Sequence, residues 1–225
     1  YGNPSVKSII ETAEREGCDD FLFVPLYPQY AGATTGAVFD QISRAFQRMP
    51  VASHRFIRDY HDHPRYIHAL AKTLERYNPA IRDGAHVLFS FHGIPMSQVN
   101  QGDLYPTQCE KTAASVAHAV GLSKDQWSMS YQSKFGPGSW LTPATIDQMA
   151  AFPTQGIKDL IVMCPGFSVD CLETIEEIKV ENKDAFLAAG GQSFRYVRAL
   201  NASKFHVDLM VALIESSLYS HELRS

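Results

Sequence analysis

The chain reads as an α/β protein built on parallel sheets, and three observations carry that reading. Short apolar runs of strand length alternate with amphipathic helices along all 225 residues. The connections between successive strands are long enough for the helical crossovers that parallel pairing requires. The strands are near-continuous apolar runs, as in sheets covered on both faces. No short repeat or low-complexity linker interrupts the pattern, and its order suggests two similar α/β units meeting near residues 50–55.

Composition excludes several classes of function. Hydrophobic content of 45% with 20% charged residues is that of a globular protein rather than a disordered one. A formal charge of −4 leaves no electrostatic footprint for nucleic acid, and no basic run suggests a lipid-surface anchor. No apolar segment approaches the roughly 18 residues that a membrane span needs, and no signal peptide opens the chain. The cysteines Cys18, Cys109, Cys164 and Cys171 are scattered with no C-x-x-C pair, which points to a reduced, cytoplasmic protein without a disulfide framework or zinc ribbon. Tyr1-Gly2-Asn3-Pro4-Ser5 reads as the interior of a longer protein, so further residues are expected before it.

Pro4 and Ser5 mark the entry to a helix ending near residue 16, and residues 20–26 form a buried strand stopped by Pro25 and Pro28. Tyr27 to Gly36 is a loop of aromatic and small residues opening a helix over residues 35–48. Residues 51–57 predict a strand, and Pro64 starts a helix to residue 77. The intervening His61, Asp62 and His63 invite a metal reading. A His-x-His pair diverges on a helix, however, so these residues are taken as surface and capping groups. Strands follow at residues 86–91, 127–132, 158–163 and 193–200, with helices at 106–120, 143–151, 170–189 and 203–218.

The stretch from Ile161 to Glu181 is the most unusual. Its strand ends at Cys164-Pro165-Gly166, and a helix predicted to open near Asp170 carries Glu173, Glu177 and Glu181 at intervals of four. Like charges so spaced disfavour an isolated helix by about 0.2–0.5 kcal/mol per pair, and a bound cation would compensate. A capping box from Asp170 to Glu173, or a solvated face favoured by the helix dipole, would account for the same residues. In parallel α/β sheets ligands bind beyond the carboxyl ends of the strands. The loops bearing His92, Trp140 and Glu173 each follow a strand, so neighbouring strands would open all three into one crevice. One imidazole with several carboxylates suits a borderline divalent metal such as Fe²⁺. Trp140 with Tyr27 and Tyr30 could wall a large flat ligand, or simply pack in core and turns.

These residues lie in runs that resemble ferrochelatase: Tyr27-Pro28-Gln29-Tyr30 with Thr34-Thr35-Gly36, Ser90-Phe91-His92-Gly93-Ile94-Pro95, Gln132-Ser133-Lys134-Phe135-Gly136-Pro137 with Trp140-Leu141-Thr142-Pro143, and Cys164-Pro165-Gly166-Phe167 leading to Asp170-Cys171-Leu172-Glu173-Thr174. The likeness runs in order through essentially the whole chain and is closest to the proteobacterial branch. It implies two Rossmann-like, chelatase-like α/β domains with four-stranded parallel sheets and a cleft between them. The N-terminal domain would be incomplete, residues 1–50 plus 200–225 including a returning C-terminal helix, and residues 51–199 would form the second domain. The implied activity is insertion of Fe²⁺ into protoporphyrin IX to form protohaem, the terminal step of haem synthesis, although this length of chain could be inactive for want of one lip of the cleft.

By resemblance, His92 and Glu173 are catalytic and metal-binding, Glu177 and Glu181 form an acidic relay, and Tyr27 and Trp140 contact porphyrin. The family's glutamate helix is widened to a π turn. The resemblance implies no obligatory cofactor, with Fe²⁺ as substrate. Gly32 occupies the position where some members have a cluster-binding cysteine, and the chain ends His221-Glu222-Leu223-Arg224-Ser225 without cysteine, so no iron–sulfur cluster is expected. A monomer is expected, with peripheral membrane association left open. The competing readings are a chelatase for another metal or for coproporphyrin, a non-catalytic porphyrin or haem carrier, and a two-domain small-molecule binding protein.

Overall fold

The computed structural model describes residues 3–47 and 52–219. Helix α1 (Val6–Arg15) begins where the Ser5 hydroxyl accepts the Ser8 N–H at 3.1 Å. Strand β1 (Asp20–Phe23) pairs in parallel with β2 (Ser53–Phe56), setting Asp20 opposite Ser53 and Phe23 opposite Phe56. A π turn (Gly32–Gly36) leads into α2 (Ala37–Phe46), whose Ile42 and Phe46 close a small core with Ile10, Phe21 and Phe23.

Helix α3 (Pro64–Leu74) is capped by His63, whose Nδ1 accepts the Arg65 N–H at 3.2 Å. His61 turns to Asp59 and Asp62 to Lys111, so the histidine cluster is capping and surface structure. Two short helices absent from the sequence-based expectation follow in the chain: α4 (Asn78–Arg82), and α5 (Met96–Asn100), which comes after β3 (His86–His92). Helix α6 (Tyr105–Val120) ends at Gly121, whose φ of 74° is the left-handed stop. Then come β4 (Trp127–Gln132), α7 (Thr145–Thr154), β5 (Asp159–Met163), a π-helix (Glu173–Asn182) continuing as α8 (Lys183–Ala188), β6 (Ser193–Val197) and α9 (Lys204–Tyr219).

The second sheet is wholly parallel, in the order β4-β3-β5-β6. Val87, Phe89, Phe91, Ile161 and Met163 face a core shared with α3, α6 and α9. Leu88, Leu160 and Val162 face the opposite core with Met149, Phe152, Ile178 and Phe186. Each fully buried side chain of this size contributes about 1.5–3 kcal/mol, so the sheet is the rigid body of the molecule.

Two boundaries differ from expectation. The strand predicted from Val51, itself outside the described residues, belongs to the first sheet, because Ser53–Phe56 pairs with β1 rather than with the second domain's strands. Helix α9 buries Leu209 and Leu213 in the large core against α3, and reaches the first sheet at its far end, where Arg55 donates to the Ser217 carbonyl at 3.3 Å. It therefore ties the two sheets together rather than packing on the first alone.

Candidate active site

The sheet order makes β4, β3 and β5 neighbours, so the loops after Gln132, His92 and Met163 open on the same edge. A cleft of about 500 Å³ lies there, lined by His92, the loop Ser133–Lys134–Phe135, Leu172, and Glu173, Glu176, Glu177 and Glu181. His92, the last residue of β3, is half-buried, and its Nδ1 lies 2.7 Å from the Gly93 carbonyl. A carbonyl can only accept, so Nδ1 carries a proton, and in the neutral ring Nε2 is the nitrogen with the lone pair to act as a base or ligand.

The glutamates stand on a π-helix rather than an α-helix. Each N–H reaches back five residues, so a turn holds more residues than the 3.6 of an α-helix and the column at intervals of four comes closer to one face. The helix also begins later than the sequence suggests. Asp170 does not cap it. Its carboxylate instead accepts from the Tyr196 hydroxyl at 2.7 Å, the Ala199 N–H, Asn201 Nδ2 and Arg198 Nε. Burial alone would raise the Asp170 pKa, but the Tyr196 hydroxyl and the other donors outweigh it and hold the carboxyl below its ordinary range. Asp170 therefore stabilises the fold fully above the unfolded carboxylate value of about 3.9, and loses that effect as pH falls through its lower folded value. Urea midpoints measured from pH 3 to 6 are expected to rise less steeply with pH in Asp170→Asn than in the parent chain.

A buried polar chain joins the two halves of the site. The hydroxyls of Ser130, Thr145 and Ser90 link at 2.8 Å each, Ser90 donates to Gln132 Oε1 at 2.9 Å, and Gln132 Nε2 donates to the Glu173 carbonyl at 2.8 Å. The Cys164 thiol, its pKa pushed up by burial, also lies on Gln132 Oε1. Gln132 thus connects the strand that ends in His92 to the first residue of the glutamate helix. Gln132→Leu would strand a hydroxyl and a carbonyl in the interior, at about 1–3 kcal/mol each. Thermal unfolding should report a loss of about 2–4 kcal/mol.

The remaining predicted site residues are placed as follows. The Cys171 thiol beside Glu173, together with the backbone N–H at its helix start, holds that carboxyl below the usual glutamate range, so it is ionised at neutral pH. Trp140 pairs with Pro95 and sets its ring against the backbone of Gly93, next to His92 but outside the cleft lining. Tyr27 is exposed on the loop after β1, also outside the lining, and Tyr30 lines a second cavity with Gly32 and Asp103, beneath the guanidinium of Arg58. Glu176, Leu172 and the Ser133–Phe135 loop are cleft residues that helical spacing did not single out. Phe135 and Leu172, at 86% and 75% exposure, leave a broad apolar surface at the mouth. Among the described residues no three His, Cys, Asp or Glu side chains converge as a metal-holding group.

Comparison with known proteins bears on the fold and the family. Solved structures of SirB from Bacillus subtilis with Fe³⁺, and of sirohydrochlorin chelatase SirB from Bacillus subtilis subspecies spizizenii in complex with cobalt, superpose with TM-scores of 0.71 and 0.62. They cover 98% and 92% of this chain, over 80% and 72% of their own, and at 12% identity they show the fold alone. The ferrochelatase of Vibrio parahaemolyticus is 46% identical over 219 residues, and that of Actinobacillus pleuropneumoniae serotype 5b is 45% identical over 219. Each alignment takes in 97% of this chain and 68% or 67% of the relative, so the chain spans about two thirds of the relatives' length. The ferrochelatase family model matches residues 1–218. With a match of that extent and relatives at that identity, the chain belongs to the ferrochelatase family.

Proposed function

We propose that the cleft between His92 and the glutamate helix is where a free-base porphyrin receives its metal. As a ferrochelatase the chain inserts Fe²⁺ into protoporphyrin IX to form protohaem, releasing two protons, at the last step of haem biosynthesis. The observation that supports this location is the sharing of one cleft by the basic nitrogen of His92 and a row of carboxylates. Two pyrrole N–H protons must leave as iron enters, and His92 Nε2 is the group suited to accept them. Glu173, ionised and beside the imidazole, is suited to bind the cation, with Glu181 further along the helix on its approach path. A bent macrocycle turns its nitrogen lone pairs to one face, so a slot that favours the bent form lowers the barrier. Tyr27 and Trp140 would bear on the porphyrin at the edges of this slot.

The same reading takes the chain as a cytoplasmic monomer without an iron–sulfur cluster. For the cluster alone, the support is Gly32, whose N–H is held by Asp103 at 2.8 Å, and the burial of Cys109 and Cys164. Peripheral attachment to a membrane surface would use the exposed Phe135 and Leu172. No described helix is long and apolar enough to cross a membrane.

The test is anaerobic incubation of the intact protein with Fe²⁺ and protoporphyrin IX, following the loss of free-base fluorescence. Fluorescence should fall as iron is consumed, and the purified protein should lack visible charge-transfer bands. Tight porphyrin retention without iron consumption would instead identify a carrier.

A further inference from the structure

Helical spacing and family resemblance group Glu177 with Glu173 and Glu181 as cation-handling carboxylates, but its oxygens are already engaged. Oε1 accepts the Ser133 N–H at 2.6 Å, and Oε2 accepts the Ser133 hydroxyl. Ser133 has φ of 60°, in the left-handed region that non-glycine residues rarely occupy. It directly follows β4 and is the residue at which the chain turns to present Lys134 and Phe135 to the cleft. A strained turn persists where its surroundings over-determine it, and the two bonds from Glu177 do so. Asn182 Nδ2 in turn binds the Glu177 carbonyl at 2.7 Å, fixing the latching residue at the far end of the π-helix.

Glu176 is in the opposite situation. It lines the same cleft and is exposed, and no hydrogen bond or ion pair engages its carboxylate among the described residues. A carboxylate that already accepts two short hydrogen bonds must give them up to coordinate a cation, whereas a free one need not. We infer that Glu177 is a positioning residue that latches the Ser133 turn over the cleft rather than a carboxylate on the cation path. Its exclusion from that path rests on the cleft being the site of metal insertion, but the latch itself does not.

Glutamine separates the two roles, because it keeps an acceptor for the Ser133 N–H and a partner for its hydroxyl while losing the charge. Hydrogen exchange at the Ser133 amide reads the latch without reference to catalysis. Glu177→Ala is expected to speed that exchange at least about tenfold, and Glu177→Gln by no more than about threefold. In turnover by the intact protein, Glu177→Gln should keep the KM for Fe²⁺ within about twofold. Ser133→Ala combined with Glu177→Ala should be no worse than Glu177→Ala alone, since both act through one contact. Unchanged exchange in Glu177→Ala would overturn the latch. An iron KM raised as much by Glu177→Gln as by Glu177→Ala would return Glu177 to the cation path. If the protein proves not to insert metal at all, the exchange results still decide the latch.

Discussion

His92→Ala is expected to lower kcat for iron insertion by about 10²–10⁴-fold, the usual contribution of a positioned general base. The residue ends β3, and its proton-bearing Nδ1 is held by the Gly93 carbonyl, so the ring is fixed with Nε2 as its remaining nitrogen, presented without reorganisation. Removing the ring deletes the acceptor for the pyrrole protons but leaves the sheet intact, since Phe91, Phe89 and Val87 carry the packing of that strand. A group needed only as the protons depart should reduce kcat and kcat/KM for porphyrin together. Single-turnover fluorescence loss measures the first quantity, and a thermal melt close to that of the parent shows that the fold survives. Turnover within threefold of the parent would exclude His92 as the proton acceptor.

Glu173→Gln is expected to reduce kcat/KM for Fe²⁺ by at least about 10²-fold, because the loss of a direct ligand should exceed the 10–100-fold typical of supporting partners. The substitution is nearly isosteric, and the bond from Gln132 to the residue 173 carbonyl is untouched, so the π-helix should keep its place. What disappears is a carboxylate held below the ordinary glutamate range by the neighbouring thiol of Cys171. Porphyrin binding, followed by fluorescence quenching in the absence of metal, should remain within about twofold, which separates a cation role from a collapsed cleft. Equal losses in iron and porphyrin affinity would argue for a structural role instead.

Much of this arrangement is legible in the residues before any coordinates. The two central strands of the second sheet, β3 and β5, are near-continuous apolar runs, and buried parallel strands have few other ways to look. His92 and Glu173 each follow such a run, which marks them as residues of the binding edge. Which strand lies beside which is a non-local fact, and the alternation of elements carries no trace of it. For that reason Ser53–Phe56 could be recognised as a strand but not as the partner of Asp20–Phe23. The same limit hid Gln132, whose role lies in a bond to a carbonyl 41 positions away. Glu176 was passed over for a different reason. A pattern of carboxylates at intervals of four skips it, although residues three and four apart lie side by side on a helix, and it lines the cleft. Asp170 fitted a capping box by spacing, but Tyr196 of β6 and three donors from the turn after it claim its carboxylate.

The ten-residue π-helix from Glu173 to Asn182 carries one further consequence. Such a segment exchanges side chains readily but cannot change its count, because one deletion would let it rewind as a 3.6-residue spiral and turn everything beyond by about 100°. The bonds from Gln132 to its first residue and from Ser133 to Glu177 tie the segment to the end of β4 and the loop after it, so that rotation would fall on the residues that follow them. Variation in this part of the protein should therefore appear as altered letters at constant length, with insertions and deletions displaced to the loops on either side.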